Sequence, residues 1–301
     1  MHNTPEAARG KWTGILLQLG IKRSFLSGKH GPCPICEGKD RFRFDDKGGK
    51  GTFICSHCGA GTGFDLLQKL NGWDFKTAAA EVDKIVSNVV ALPIREPMSE
   101  AKCRDALNRL WASGERITEG DPVTAYFAMR GLPMPANLNC LRYVAKCPVP
   151  GGGMLPAMIA AVSGPDGKPV TIHRTYLGPN GKADIDTPRA LMPGELTDGS
   201  AIRLSGYDDR LGIAEGIETA LAASAKFGIP VWAAVNATML AKWEPPQGVE
   251  KVIVFGDNDR TFTGAAAAYN LAKRLTVQRK LTVDVAIPRA RGSDWADEVA
   301  A

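Results

Sequence analysis

Lys251-Val-Ile-Val-Phe255-Gly256-Asp257-Asn258-Asp259 reads as a short strand that ends on a glycine and an alternating acidic pair. Three β-branched residues in a row favour extended backbone, and the glycine after Phe255 lets the chain turn sharply. Forty residues earlier the same order recurs: Leu211-Gly-Ile-Ala-Glu215-Gly216 is an apolar run, then an acid, then a glycine, then helix-forming residues. Val231 to Val235 and Val283 to Ile287 are two further β-like runs, and Ala-rich helical stretches separate all four. Strands alternating with helices predict a parallel sheet. In an open parallel sheet, ligands bind at the carboxyl ends of the strands, which is where Glu215, Asp257 and Asp259 fall. Asp294, in Gly292-Ser-Asp-Trp-Ala-Asp297, follows the last strand in the same way.

An acid at a βα turn is by itself more often a helix cap than a ligand. Acids at three strand ends would repel one another unless cations lie between them, and hard carboxylate oxygens suit Mg2+ or Mn2+. The expectation is therefore magnesium on Glu215, Asp257 and Asp259, with Asp294 completing a two-metal arrangement for phosphoryl transfer. Glu218 and Asp297 lie nearby with their roles open.

Towards the amino end, Cys33-Pro-Ile-Cys36 and Cys55-Ser-His-Cys58 form two CxxC pairs eighteen residues apart. Two disulfides or a thioredoxin-like redox pair are the competing readings, but two pairs flanking a loop predict a closed tetrahedral zinc site of structural kind. His30 and His57 are second-choice ligands, and Cys103, Cys140 and Cys147 read as small buried residues. Between the pairs, Lys39-Asp-Arg41-Phe42-Arg43-Phe44 alternates by two. In a strand this puts Lys39, Arg41 and Arg43 on one face, suited to phosphates, and Phe42 and Phe44 on the other as an apolar floor. The segment is expected to have almost no core beyond that floor, and zinc to hold its fold.

Helical periodicity predicts helices over 12–19, 64–70 and 75–86, a helix capped by Ser99, and one opened by Asp121-Pro122 and closed by Gly131. Residues 92–97, Leu-Pro-Ile-Arg-Glu-Pro, read as a linker. Gly164-Pro-Asp-Gly167 between Ala157–Val162 and Val170–Tyr176 predicts a hairpin. These boundaries give a zinc-ribbon segment over 1–90, a linker over 91–98, a basic α+β subdomain over 99–205 and a parallel α/β domain over 206–301.

The 301 residues carry 37 Lys and Arg against 32 Asp and Glu, a net +5 that permits a polyanionic partner without requiring one. Ordinary apolar and charged fractions exclude disordered and fibrous classes. No signal peptide, no run long enough to span a bilayer, no solenoid repeat and no Walker A spacing is present. The expectation is a cytoplasmic protein without a membrane partner.

Three of these stretches carry a resemblance. The EG pair at Glu215, the DxD at Asp257 and Asp259 and the DWxD from Asp294 resemble the Toprim domain of primases, topoisomerases and nucleases. CPxC, GKDRFRF and CxxCG resemble the amino-terminal zinc domain of phage and plasmid DNA primases. The middle stretch, with Thr171-Ile-His-Arg174-Thr-Tyr176, is similar to the basic subdomain before Toprim in those enzymes.

The order of the three implies a DNA primase making short RNA primers on single-stranded DNA from ribonucleoside triphosphates, with any helicase a separate partner. It implies catalytic roles for Glu215, Asp257, Asp259 and Asp294, with Glu215 beside the attacking hydroxyl. Nucleic-acid or phosphate contacts fall to Lys39, Arg41, Arg43, Arg174 and Lys182, with Arg189 and Arg203 as weaker candidates. The chain departs from bacterial replicative primases in having four cysteines where they show one histidine, and Thr219 where they show an Asp. Glu218 then looks like the phage-type variant. The rival readings are a Toprim nuclease and a non-catalytic recombination mediator that also joins a four-cysteine site to Toprim.

Overall fold

A computed structural model describes residues 3–91, 98–150, 152–194 and 196–300. The linker expected over 92–97 lies outside them. The chain divides into two compact units, Met1–Met98 and Ser99–Ala301.

In the first unit, helices α1 (Thr4–Ala8) and α2 (Trp12–Gln18) precede a three-stranded antiparallel sheet of β1 (Phe42–Phe44), β2 (Phe53–Cys55) and β3 (Gly59–Gly61). Helices α3 (Gly63–Asn71) and α4 (Phe75–Ile85) follow. Thr62 and Asp65 form a reciprocal capping box that starts α3, and Gly72 in the left-handed conformation ends it. The expected floor is present: Phe42 and Phe44 are buried, and the Phe42 and Phe53 rings stack with centroids 5.6 Å apart.

Two expectations for this segment need correcting. It has a substantial core, because Trp12, Ile15, Leu16, Phe64, Leu66, Leu67 and Val82 from the helices close over those rings. The basic stripe is also shorter than the alternation suggests, since only Arg43 of the three lies in the strand. The return from the first cysteine pair, with Glu37 at φ 56° and the Cys33 amide bonded to the Gly38 carbonyl, holds 37–41 in a turn.

The second unit opens with α5 (Glu100–Ala112) and α6 (Pro122–Met129), capped by Ser99 and by Asp121. An antiparallel sheet follows in the order β4 (Leu141–Pro148), β5 (Met154–Ser163), β6 (Pro169–Gly178) and β7 (Gly181–Lys182), with β8 (Arg189–Leu191) also on β6. The β5–β6 hairpin turns at the predicted Gly164–Gly167, and a bulge at Val162 and Ser163 shifts its register.

The remaining elements alternate: β9 (Arg210–Ala214), α7 (Ile217–Phe227), β10 (Val231–Ala233), α8 (Ala237–Ala241), β11 (Lys251–Phe255), α9 (Thr263–Arg279), β12 (Thr282–Ala286) and α10 (Trp295–Ala300). They build a parallel sheet in the order β10-β9-β11-β12. Helices cover both faces, so β9 and β11 read as nearly continuous apolar runs. The buried residues of α7 and α10 pack with Phe255 and Trp295 on one side, while Trp243, Leu271 and Leu275 of the α8–α9 layer pack on the other. One cluster runs through both sheets, from Leu141, Met158 and Val162 to Leu204, Ile217 and Phe255. Ala201 bridges to Ser163 and Ile202 to Ala233, so this short segment joins hairpin to parallel sheet.

The strand order reverses between β9 and β11: from β9 the chain moves to one side for β10, then crosses to the other for β11. A crevice opens at such a switch point. Two glycines let α9 close on it. A Cβ on Gly256 would lie 2.6 Å from Ile287 and 2.9 Å from Ala268, and one on Gly264 would lie 2.9 Å from the Asp257 carbonyl. Gly264→Ala should therefore destabilise the fold by about 1–3 kcal/mol through overpacking, measurable in urea unfolding. A variant as stable as wild type would show that α9 can retreat without cost.

Candidate metal centres and the acidic crevice

The first centre is built by two tight turns. Within each cysteine pair an amide points back at the leading sulfur, Ile35 N–H to Cys33 Sγ and Cys58 N–H to Cys55 Sγ, both at 3.4 Å. Across the pairs, Cys33 Sγ lies 3.8 Å from Cys58 Sγ and Cys36 Sγ lies 3.9 Å from Cys55 Sγ, and all four sulfurs fall within 4.8 Å of one another. A tetrahedron with zinc–sulfur bonds of about 2.3 Å has edges of about 3.8 Å. The four cysteines can thus hold one zinc ion. His30 and His57 are exposed and outside the cluster. Around it, Arg43 lies 3.6 Å from Asp45, the Arg41 guanidinium rests against Gly38, and Lys39 is exposed.

The second centre lies at the switch point. Ala214 pairs with Phe255, so Glu215 and Asp257 leave two adjacent strands side by side. Burial is the largest influence on Asp257, and the charges of Glu215, Asp294 and Asp259 add to it, pushing its carboxyl up to about 7. Its Oδ1 is buried without a hydrogen-bond partner among the described residues. Burial likewise raises Glu215, aided by Asp259 and opposed by Arg189. This is a set of hard oxygens crowded in low dielectric with one orphaned acceptor, and it fits a divalent cation. The carboxylates do not close on a point as the thiolates do; among the described residues the four cysteines are the one group of three or more His, Cys, Asp or Glu whose ligand atoms all lie within 4.8 Å of one another. Mg2+ binds through one or two carboxylates and keeps several waters, so an open set suits it.

Asp259 and Asp294 have a second duty. Asp259 Oδ1 accepts from the amides of Thr261 and Thr263 and Oδ2 from that of Gly264, so it caps α9. Burial acts to raise its carboxyl, but these bonds and the Thr261 hydroxyl outweigh it and the net shift is downward. Asp294 Oδ1 accepts from the Asp297 amide and Asp297 Oδ2 from the Asp294 amide, a capping box at the start of α10.

Glu218, in the first turn of α7, has partners of its own. It is buried, Lys182 Nζ lies 2.7 Å from its Oε1, and the Tyr126 hydroxyl donates to the same oxygen. Burial works to raise its carboxyl, but Lys182 and Tyr126 prevail and hold it at about 2. Its depressed value stabilises the fold above the ordinary carboxyl range, and that contribution is lost as pH falls towards 2. Lys182→Met leaves the carboxylate buried without its cation, so we expect a loss of about 3 kcal/mol near pH 7, shrinking as pH falls from about 4.5 towards 2. Denaturant titrations at several pH values check this, and a pH-independent difference would rule out the ion pair as its source.

Arg174 does not face solvent as a phosphate contact would. Its guanidinium is buried, donating to the carbonyls of Pro148 at 2.7 Å and Leu191 at 3.0 Å. The middle strand β6 is buried continuously from Thr171 to Leu177, and position 174 falls within that run. Arg203 is similarly engaged, donating to the carbonyls of Gly164 and Pro165. Arg189 instead is exposed on β8, and its charge reaches Glu215, Asp257 and His173. His173, buried with Nδ1 unpartnered and lowered by burial to about 4, is neutral at physiological pH. Sequence reasoning missed Tyr126 and His173, which carry no spacing signal and meet Glu218 or its surroundings only through the fold.

Residues 28–64 match the family described as the zinc-binding domain of primase-helicase, residues 210–301 match the Toprim domain, and residues 101–204 match a domain of unknown function. Among solved structures, the chain is similar to the primase fragment of the bacteriophage T7 primase-helicase protein. Identity there is 14% and the TM-score 0.38, over 89% of this chain and 92% of that one. It is similar to the zinc-binding and RNA polymerase domains of Aquifex aeolicus primase at 14% identity and TM-score 0.40, covering 99% and 82%. It is also similar to a DNA primase domain from Pseudomonas aeruginosa at 13% and 0.41, covering 65% and 74%. The weight rests on the domain matches. No helix among the described residues is long and apolar enough to cross a membrane. Taken with the two centres, the domain matches give the chain the architecture of a primase, a zinc-binding domain of the primase-helicase kind followed by a Toprim domain.

Proposed function

We propose that the protein is a DNA primase that joins ribonucleotides on a single-stranded DNA template. The observation that carries this reading is the crevice at the switch point, where Asp257 presents an orphaned buried oxygen beside Glu215. It occurs in a chain whose other end matches the zinc-binding domain of primase-helicase.

Glu215 and Asp257 would hold Mg2+ or Mn2+, with Asp294 and the free lone pairs of Asp259 completing the set through water. Bound there, the ion would neutralise triphosphate charge and make a ribose 3′ hydroxyl easier to deprotonate. Glu215, whose carboxyl burial raises, would sit beside that hydroxyl as metal ligand or proton acceptor. Arg189 is an exposed guanidinium whose charge acts on Glu215 and Asp257, and it would take a phosphate oxygen of the incoming nucleotide. Asp259 and Asp294, fixed by α9 and α10, hold both loops so that the acids do not drift. Lys182 is engaged by Glu218. Lys39, Arg41 and Arg43 would meet the template backbone, giving an affinity that falls with added salt.

The test is to offer purified protein single-stranded DNA and labelled ribonucleotides with Mg2+ or Mn2+. Short RNA products that depend on template and metal are expected. Template-bound protein that makes none under any metal would leave the mediator reading in its place, and strand cleavage would leave the nuclease reading.

A further inference from the structure

Thr261 and Phe262 stand between the acidic pair and α9, and Phe262 has a conformation its side chain does not favour. Its φ is 60°, in the left-handed region that costs a bulky residue free energy. Asp259 imposes it: the Asp259 carboxylate takes the amides on both sides, and the Phe262 amide bonds the Asp259 carbonyl at 3.1 Å. The cap thereby turns an aromatic ring out of the core, leaving it 59% exposed. The Arg291 guanidinium lies over that ring, 5.3 Å from its centroid. Arg291 comes from the loop after β12, which also carries Asp294.

The two loops are tied together. The Asn258 amide donates to the Ser293 carbonyl at 3.0 Å, and Asn258 Nδ2 donates to the Pro288 carbonyl at 2.9 Å. Ring and guanidinium are thus held at the rim of the crevice by the same backbone that positions Asp257 and Asp294. Arg260 extends the rim, its Nε beside Gly292. An exposed ring with a cation over it, on a tied loop next to acids that would hold a nucleotide's metal, has the chemistry of a nucleobase platform: a flat π-face for stacking and positive charge for the phosphate.

We propose that Phe262 and Arg291 form a stacking shelf for a nucleobase entering the acidic crevice. This rests on the reading of the crevice as a nucleotidyl-transfer site. The base comes from the incoming nucleotide or from the single-stranded template, and the experiment separates the two. Equilibrium binding of the full chain is measured for an oligothymidylate, for an abasic oligomer of equal length, and for a ribonucleoside triphosphate with Ca2+. Wild type is compared with Phe262→Ala, Phe262→Trp and Arg291→Ala.

Phe262→Ala should weaken one base-bearing ligand about tenfold, leave the abasic oligomer within about twofold, and be rescued by Phe262→Trp. Weakening of oligothymidylate assigns the shelf to the template, and weakening of the triphosphate assigns it to the nucleotide. Equal binding of all ligands by wild type and Phe262→Ala, or equal weakening of the abasic oligomer, overturns the shelf. Because binding is read without turnover, loss of base binding in a protein that makes no primers would keep the shelf and sink the primase reading.

Discussion

Replacing Asp257 by asparagine should lower primer synthesis by about a thousandfold or more while making the metal-free protein more stable. The two effects have one cause. Burial and the charges of Glu215, Asp294 and Asp259 push the Asp257 carboxyl up to about 7, so the ionised form is disfavoured in the folded chain. A raised carboxyl stabilises the fold at low pH and loses that contribution as pH rises through its folded value. The asparagine variant should therefore gain on wild type in Tm between pH 5 and pH 8. Mg2+ should raise the Tm of wild type by binding the folded state and do much less for the variant. Thermal melts with and without Mg2+, beside a primer assay, read both. A variant retaining half the wild-type rate, or melting lower than wild type at pH 8 without metal, would remove Asp257 from the centre of the site.

Removing zinc should have the largest structural effect. Cys33 and Cys55 are buried in the same cluster as Phe42, Phe44, Phe53 and Trp12, so a zinc ion on their sulfurs would close one end of the first unit's core. Structural zinc binds with about 10–16 kcal/mol in zinc-finger peptides, comparable with the whole stability of a small domain, about 5–15 kcal/mol. Chelation, or Cys55→Ser, should release β1 to β3, dissolve the Phe42–Phe53 stack and open trypsin sites at Lys39, Arg41 and Arg43. Helices α3 and α4 should keep part of their content, because Leu66, Leu67 and Val82 pack on α2 residues Ile15 and Leu16. Metal analysis giving less than about half an equivalent, or a chelated protein with unchanged near-ultraviolet circular dichroism and protease resistance, would show the fold to be independent of zinc.

Much of the fold was legible in period and punctuation. The four strands of the parallel sheet lie within a residue or two of the apolar runs that predicted them: β9 and β11, covered on both faces, are apolar nearly throughout, while the edge strand β12 alternates, with Asp284 exposed. The hairpin turned where Gly164-Pro-Asp-Gly167 required it, and the capped helices began at Ser99 and Asp121. The strand predicted through Lys39 and Arg41 failed because the turn out of the first cysteine pair, not alternation, sets the backbone there. The small core expected for the same segment was wrong for a related reason: its partners, Trp12 and Phe64, lie far off in sequence.

The candidate site divides along the same line. Cysteine spacing alone pointed to the four sulfurs that the fold brings within 4.8 Å of one another, since two tight turns leave them few other arrangements. Acids at the strand ends were equally visible, because strand, glycine and carboxylate are contiguous in the chain. What each carboxylate does was not. Asp259 and Asp294 turned out to cap helices, Glu218 to be held by Lys182 and Tyr126, and Arg174 to be buried beneath the surface it was expected to serve. Glu218 meets its partners across 36 and 92 positions of sequence and Arg174 across 17 and 26, while the two caps close within five residues and turn on how each loop folds. Local pattern fixes where a residue enters an element and which chemistry it can offer. Burial and charge in the folded chain decide whether that chemistry is spent on holding the structure or left facing a substrate.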